Sequence, residues 1–427
     1  MEQYQVGDFL ITPVKEGARK YGKFSYPVEY GCVSEIRTAD HVFQFNLNGE
    51  IKFIRGRGRG WPHPAEWLKR TAGNDWVYYS AGDYKGVYDL LGEYYYPYLS
   101  YPSNAILGDN PFEDRAIRTA IRSWTALAGR MSDLSTDALP AALKDTVPLI
   151  GLQSPAALRE KAARLHHRIR GKVTVLPPDS RHVDYEVIPI TIAQGCLLDC
   201  GFCRVKSGRG FKALTRPEIA EQMREVGQLY GRDLRNYNAV FFGQHDALQA
   251  GTDLVLFAAE KAYDLLEVEH SCMKGPTLFL FGSPISLIGA HEALFDGLSK
   301  LPFSTYINVG LEAADCATLS KLKRPVSVEL VQEAFARMLD INQRYQQVEV
   351  TANFVFSDLS SPEHFASLLA LTGSRLDPTR AKGAIYLSPM LDGTTVTDAR
   401  RRDLIRRFQE VKAHNRLPTF LYLIQRL

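Results

Sequence analysis

The chain has 427 residues with a formal net charge of +3, and 45% of them are hydrophobic. That length exceeds one ordinary domain and suffices for a sizeable core with an accessory module. The near-balanced charge gives no global electrostatic case for nucleic acid or membrane. No apolar run approaches the ~18 residues of a membrane span, and six cysteines over this length do not form a secreted-type disulfide framework. Met1-Glu-Gln-Tyr-Gln-Val-Gly-Asp8 lacks the basic-then-apolar pattern of a leader, so a cytoplasmic location is expected.

Residues 1–110 read as a β-rich accessory domain, a small barrel or curled sheet. Runs such as Phe9–Thr12, His41–Leu47, Ile51–Ile54 and Trp76–Tyr79 alternate with turn signals at Asn48-Gly49 and Ala81-Gly82-Asp83. In His41–Leu47, Phe43, Phe45 and Leu47 face opposite to Val42, Gln44 and Asn46, a half-buried strand pattern. Arg55-Gly-Arg57-Gly-Arg59-Gly-Trp61 concentrates positive charge on flexible backbone, as an anion site or a solvated hairpin turn. The run Tyr94-Tyr-Tyr-Pro-Tyr98-Leu-Ser-Tyr101 offers either core packing or a stacking surface.

From Pro111 the period becomes helical, with Ala116, Ala120 and Trp124 every four residues. Further helical stretches at Asp137–Lys144 and Pro155–Ile169 complete a connector over 111–180, the latter strongly basic through Arg159, Lys161, Arg164, Arg168 and Arg170. Residues 181–427 alternate strand and helix. Candidate strands are Glu186–Ile192, Ala239–Phe242, Thr277–Gly282, Tyr306–Leu311, Val350–Phe356 and Ala384–Leu387, which argues for βα units around a parallel sheet. Thr215-x-x-Glu218 is a capping box, and Ile219, Met223 and Val226 mark the buried face of the helix it opens.

Between the first candidate strand and that helix lies Thr191-Ile-Ala-Gln-Gly-Cys196-Leu-Leu-Asp-Cys200-Gly-Phe202-Cys203. At this composition the spacing arises by chance in about one such chain in a thousand. The alternative is three buried thiols on a turn. Cys32, Cys272 and Cys316 are isolated in sequence. Such thiolates suit a soft metal or an iron–sulfur cluster. Structural zinc takes four ligands in paired motifs, and no second pair or clustered His partner exists. A [4Fe–4S] cluster on three cysteines leaves one iron open. The stretch resembles the signature of the radical S-adenosylmethionine (SAM) superfamily, Cys-x3-Cys-x2-Cys with an aromatic, here Phe202, before the third cysteine.

The resemblance covers roughly Tyr185–Met390 and implies an α/β fold, a partial (β/α)6 TIM-like barrel, preceded here by the β-rich domain and helical connector. It implies Cys196, Cys200 and Cys203 as ligands of a [4Fe–4S] cluster and SAM as second cofactor. In that family the open iron chelates SAM, and one electron cleaves it to a 5′-deoxyadenosyl radical that abstracts a substrate hydrogen. Chemistry in βα barrels sits at C-terminal strand ends, where the cysteine loop falls. The family's Gly-Gly-Glu loop after the second strand is in register with Gln244-His245-Asp246, which follows Gly243 and replaces both glycines; it resembles the variant loops of the coproporphyrinogen oxidase and elongator-type branch. Asp246 is then the amino-group ligand, and His245 an acid/base or a structural histidine. Glu312, in Gly310-Leu-Glu312-Ala, matches a carboxylate for the ribose or sulfonium region, and Arg324 a partner for the SAM carboxylate; structural ion pairing is the alternative for both. Ser283 and Asn353 fall near strand ends, within reach of ribose or adenine. Cys316, four residues past Glu312, is a candidate hydrogen-atom donor.

No auxiliary cysteine cluster and no Asp-x-His-x-x-Gly cobalamin loop occurs. The expectation is an oxygen-sensitive enzyme acting on a small organic metabolite, with a reductant such as flavodoxin or ferredoxin as partner. RNA modification through the basic segments is the alternative within the superfamily. A non-catalytic iron–sulfur or zinc protein is the alternative outside it.

Overall fold

A computed structural model describes residues 2–21, 29–62, 66–80, 94–98, 101–198, 200–203, 205, 210–357, 360–373, 382–391 and 396–427. The expected turn at Ala81-Gly82-Asp83, Leu99 and Ser100 of the tyrosine run, and Asp199 of the cysteine stretch lie outside them.

The N-terminal module is an eight-stranded antiparallel meander in chain order: β1 (Tyr4–Val6), β2 (Phe9–Glu16), β3 (Cys32–Arg37), β4 (His41–Phe45), β5 (Ile51–Gly56), β6 (Glu66–Arg70), β7 (Trp76–Ser80) and β8 (Tyr94–Pro97). Asn48-Gly49 does turn the chain between β4 and β5, with Gly49 at φ 77°. β4 departs from the half-buried expectation, because Val42 and Gln44 are buried along with Phe43 and Phe45. Its second face is closed by polar pairing: Gln44 donates to Glu35 (3.0 Å), which also holds Lys15 (2.5 Å). The arginine-rich turn is a hairpin connection. Arg55 stacks over Trp67, 4.8 Å to the ring centroid, and Trp61 folds beneath it, donating to the Glu66 carbonyl (3.0 Å). Tyr96 is buried, while Tyr98 is half-exposed and meets Phe112 edge-on.

The connector holds α1 (Arg115–Ser132), α2 (Thr146–Gly151) and α3 (Pro155–Arg168). Asp114 caps α1, whose Ile117, Ala120, Trp124, Leu127 and Met131 are buried. The expected helix at Asp137–Lys144 is instead two short 3-10 turns, Thr136–Ala138 and Ala141–Leu143. Pro140 sits between them and removes the donor a continuous helix needs. Three of the five basic charges of this region stand in ion pairs: Lys161 with Glu50, Arg168 with Glu225 (2.6 Å) and Arg170 with Glu218 (3.0 Å).

The C-terminal part is a seven-stranded parallel sheet of β9 (Ile188–Pro189), β12 (Ala239–Asp246), β13 (Thr277–Gly282), β14 (Ser304–Glu312), β15 (Val348–Phe356), β16 (Ile385–Pro389) and β17 (Thr419–Leu421). The order in space follows the order in sequence, so the sheet winds one way, as a partial βα barrel does. Helices cross over between neighbours: α5 (Thr252–Leu265), α6 (Pro284–Gly289) with α7 (Glu292–Lys300), α8 (Cys316–Lys321) with α9 (Val328–Arg344), α10 (Pro362–Gly373) and α11 (Asp398–His414). The strands are near-continuous apolar runs because both faces are covered. β17 is an addition to the six expected strands; at three residues it carries no periodicity to read. The barrel interior holds a polar ladder. Asp179 accepts from Thr351 (2.6 Å) and Tyr386 (2.7 Å), and Asn308 joins Thr351 (2.8 Å) to Asn353 (2.6 Å).

The two modules are locked by charge as well as apolar contact. Lys52 of β5 and Lys69 of β6 both grip Glu186, at 2.9 and 2.6 Å, just ahead of β9. Lys69 also donates to the Asp184 carbonyl (2.5 Å). Asp184 and Tyr185 hold left-handed φ of 49° and 60°, a strained turn for non-glycine residues that the lysine clasp fixes at the entrance to the barrel.

Candidate active site

The first barrel strand is pinned where it ends. Ile190 donates to the Phe241 carbonyl (2.8 Å). Thr191 donates from its amide to Gln222 (2.6 Å) and from its hydroxyl to the Ile169 carbonyl (2.6 Å). The chain then leaves through β10 (Ala193–Gln194) and returns through β11 (Lys212–Ala213), an antiparallel ribbon pairing Ala193 with Ala213. All three clustered cysteines lie on the loop this ribbon closes. The capping box at Thr215 and Glu218 then starts α4 (Arg216–Tyr230). The loop is tied to the far side of the barrel: Gly201 donates to the Leu322 carbonyl (3.1 Å). A Cβ at Gly201 would stand 3.0 Å from the Lys323 side chain, so the close approach uses the missing side chain.

The three cysteines line one cavity of about 420 Å³, together with Phe202, Gln244, His245, Asp246, Ser283, Glu312, Arg324 and Asn353 among others. Cys200 is 3% exposed. Burial pushes both Cys196 and Cys200 up, the neighbouring thiols adding to it, while Arg324 opposes the rise at Cys200. These are groups that stay protonated at neutral pH unless a cation stabilises the thiolate. No trio of His, Cys, Asp or Glu among the described residues closes to the geometry of a single ion.

Opposite the thiols stands a charged set. Arg324 donates to the Cys200 sulfur (3.1 Å) and to the Gly310 carbonyl, and its Nε is buried without a partner. Glu312 sits at a bulge where β14 shifts register against β15, with φ at 69°. Its carboxylate folds back over Gly310, where a Cβ would lie 2.4 Å from Oε1. Burial raises Glu312, with Arg324 opposing, and raises Asp246, with the Ser283 and Ser286 hydroxyls opposing. Among the described residues the cavity thus holds two buried carboxylates and one guanidinium. That balance favours a ligand with one more positive than negative group.

The structure separates the sequence-derived candidates by task. Asp246 caps the turn Ala247–Ala250 through Gln249 (3.2 Å) and accepts from Ser286 (2.8 Å), both on Oδ1. Ser283 caps α6 and bonds within its own turn, while lining the cavity. Gln244 is clamped to the connector, accepting from Thr174 (2.8 Å) and donating to the Lys172 carbonyl (2.8 Å). Gly243 takes φ 78° where β12 shifts register against β13. Asn353 joins the barrel ladder to the cavity. His245 bonds the backbone of Val205, burial lowers its pKa, and Nε2 is buried without a partner. Cys316 is exposed at the start of α8 and is not among the residues that line the cavity. Sequence reasoning missed the C-terminal wall, where Tyr422 and Ile424 line the cavity. They belong to no periodic element.

No protein-family model matches the chain, and no curated protein matches it. Among solved structures, the cobalamin-dependent S-adenosylmethionine radical enzyme OxsB, with aqua-cobalamin and S-adenosylmethionine bound, aligns at 13% identity over 54% of this chain and 31% of that one, with TM-score 0.34. The matched part is therefore about a third of that enzyme's length. Streptococcus suis SuiB aligns at 11% identity over 90% of this chain and 71% of that one, TM-score 0.39. Methylornithine synthase PylB aligns at 14% identity over 69% and 78%, TM-score 0.32. These likenesses are loose. In its cysteine motif and in the barrel that carries it, the chain resembles the radical SAM superfamily.

Proposed function

We propose that the chain is a radical SAM enzyme: Cys196, Cys200 and Cys203 hold a [4Fe–4S] cluster, and the cavity they line binds SAM and an organic substrate. When bound, the cluster supplies the electron for reductive SAM cleavage, the outcome proposed being hydrogen-atom abstraction from that substrate. The observation that carries the reading is the convergence of three clustered thiols with Asp246, Glu312 and Arg324 on one cavity. The donor set fits. SAM carries a sulfonium, an ammonium and a carboxylate, one more positive than negative charge, which matches two carboxylates and one guanidinium. Cluster ligands sit on different irons, so their sulfurs stand farther apart than the ligands of one ion.

Each side chain then has a task. Asp246 is fixed by Ser286 and Gln249 on one oxygen, and the Ser283 hydroxyl also opposes the rise that burial imposes on it, which holds the carboxylate at the cavity wall for an ammonium. Glu312 holds ribose hydroxyls or the sulfonium region. Arg324 orients the SAM carboxylate while steadying Cys200. Phe202 covers the loop, Ser283 and Asn353 offer polar contacts to nucleoside, and Gly243 with Gln244 shapes the backbone between β12 and the connector. The test is anaerobic reconstitution with iron and sulfide, followed by reduction with SAM and assay for 5′-deoxyadenosine. Its formation, lost in the cysteine variants, supports the reading; full iron loading without it opposes the catalytic part.

A further inference from the structure

We propose that Cys32 and Cys272 form a reversible dithiol–disulfide site that covalently joins the N-terminal sheet to the barrel. The two stand 240 residues apart in the chain, and neither lines the cavity of the clustered cysteines. Cys32 opens β3 of the meander; Cys272 follows the turn Val268–His270 beyond α5.

One side chain gathers them. Asn236 donates to the Cys32 carbonyl (2.8 Å), and its Oδ1 accepts from both the Cys32 amide (2.8 Å) and the Cys272 sulfur (3.3 Å). Asn236 comes this close because Gly31, at φ 66°, has no Cβ; one would stand 2.4 Å from Oδ1. Backbone bonds hold both sides of the joint: Cys272 donates to the Arg235 carbonyl (2.8 Å), and Lys274 to the Arg19 carbonyl (2.7 Å). The two cysteines thus meet around one side chain at the folded interface, the Cys32 backbone and the Cys272 sulfur sharing Asn236. Both residues are only half-buried, reachable by a small molecule. Burial, with Cys32 alongside, pushes the Cys272 thiol up to about 11, so it rests protonated near neutrality.

The co-reactant is a low-molecular-weight disulfide, RSSR. One protein thiolate attacks a sulfur of RSSR and releases one RS⁻, giving a mixed disulfide. The other then displaces the second RS⁻ and closes the bond between Cys32 and Cys272. Two protein thiols lose two electrons and two protons, and RSSR becomes two RSH.

The test equilibrates the cluster-loaded full chain anaerobically with glutathione disulfide, blocks remaining thiols with iodoacetamide, and maps the peptides by mass spectrometry. A Cys316→Ser background removes the exposed thiol from the count. The expected result is a linked Cys32–Cys272 peptide, with two thiols lost per chain. Dithiothreitol should restore them and reverse an upward shift in Tm. In Cys32→Ser, Cys272 should accumulate as the glutathione mixed disulfide instead. Recovery of both residues alkylated, both as separate mixed disulfides, or either one linked to another cysteine would overturn the proposal. The same map on the wild-type chain, with Cys316 alkylated, decides the question should either variant fold poorly.

Discussion

At the scale of single residues, the candidate site is a group of ionisable side chains held out of water. Burial raises Cys196, Cys200, Asp246 and Glu312 together, so the site is unfavourable until cationic groups fill it. Replacing any one of Cys196, Cys200 or Cys203 with Ala should bring reconstituted iron from near four per chain to a minor fraction, read by iron and sulfide analysis. Asp246→Asn keeps an N-cap residue and so should fold and load iron normally. It removes a charge-assisted bond worth about 1.5–3 kcal/mol, or roughly ten- to hundred-fold in SAM affinity. Titration of SAM against the cluster spectrum measures it, and an unchanged dissociation constant would remove Asp246 from the proposed site. That the cysteines and Asp246 come together at the ends of barrel strands was legible because their spacing and order along the chain are local facts. Arg324 against Cys200, 124 residues apart, and Cys32 against Cys272 were not, because pairing across the fold leaves no mark in either local sequence.

At the scale of elements, β14 shows how backbone aims a side chain. Its bulge puts Glu312 at a positive φ and lays the carboxylate over Gly310. Gly310→Ala would put a methyl where Oε1 now lies, and the flexible end of Glu312 would move rather than the strand. The variant should therefore lose SAM affinity several-fold while its Tm stays near that of the parent, a split that titration and thermal unfolding together report. A large fall in Tm instead would mean that Gly310 serves the sheet. The parallel strands and α4 were legible as elements, since apolar runs and a capping box mark them, but not in their bounds: the expected Glu186–Ile192 pairs only over Ile188–Pro189. The ribbon of β10 and β11 was not, at two residues a strand, nor was β17. Asp137–Lys144 misled because Pro140 outweighed the helical tendency around it.

At the scale of the whole molecule, stability rests partly on charges buried between modules. Glu186 is drawn down to about 2 by Lys52 and Lys69 against the cost of its burial. Its folded value lies below its unfolded one, so its stabilisation is present above about pH 4.5 and lost as pH falls through about 2. Glu186→Gln leaves two buried ammonium groups unpaired and should cost about 3–5 kcal/mol at pH 7, with a much smaller difference near pH 2; denaturant unfolding at the two pH values checks this. Asp179 has the opposite sign. Burial inside the barrel raises it to about 6, so the stability its neutral form provides is lost as pH rises from about 4 through 6, by about 3 kcal/mol in all. Asp179→Asn should abolish that slope in Tm across the same range; a slope retained in the variant would assign it to another group. The division into a β-rich module, a helical connector and a βα barrel was legible from changes in period. Their mutual grip was not, because Lys52, Lys69 and Glu186 read singly as ordinary surface charges.

The central claim is that this cavity joins an iron–sulfur cluster to SAM. It is tested most directly by one anaerobic measurement on the reconstituted full chain: iron content together with 5′-deoxyadenosine formed from SAM after one-electron reduction. Near four irons per chain and SAM-dependent 5′-deoxyadenosine are expected, both lost in Cys200→Ala. A chain that binds a single zinc or iron ion, or one that loads four irons yet leaves SAM intact under reduction, would contradict it.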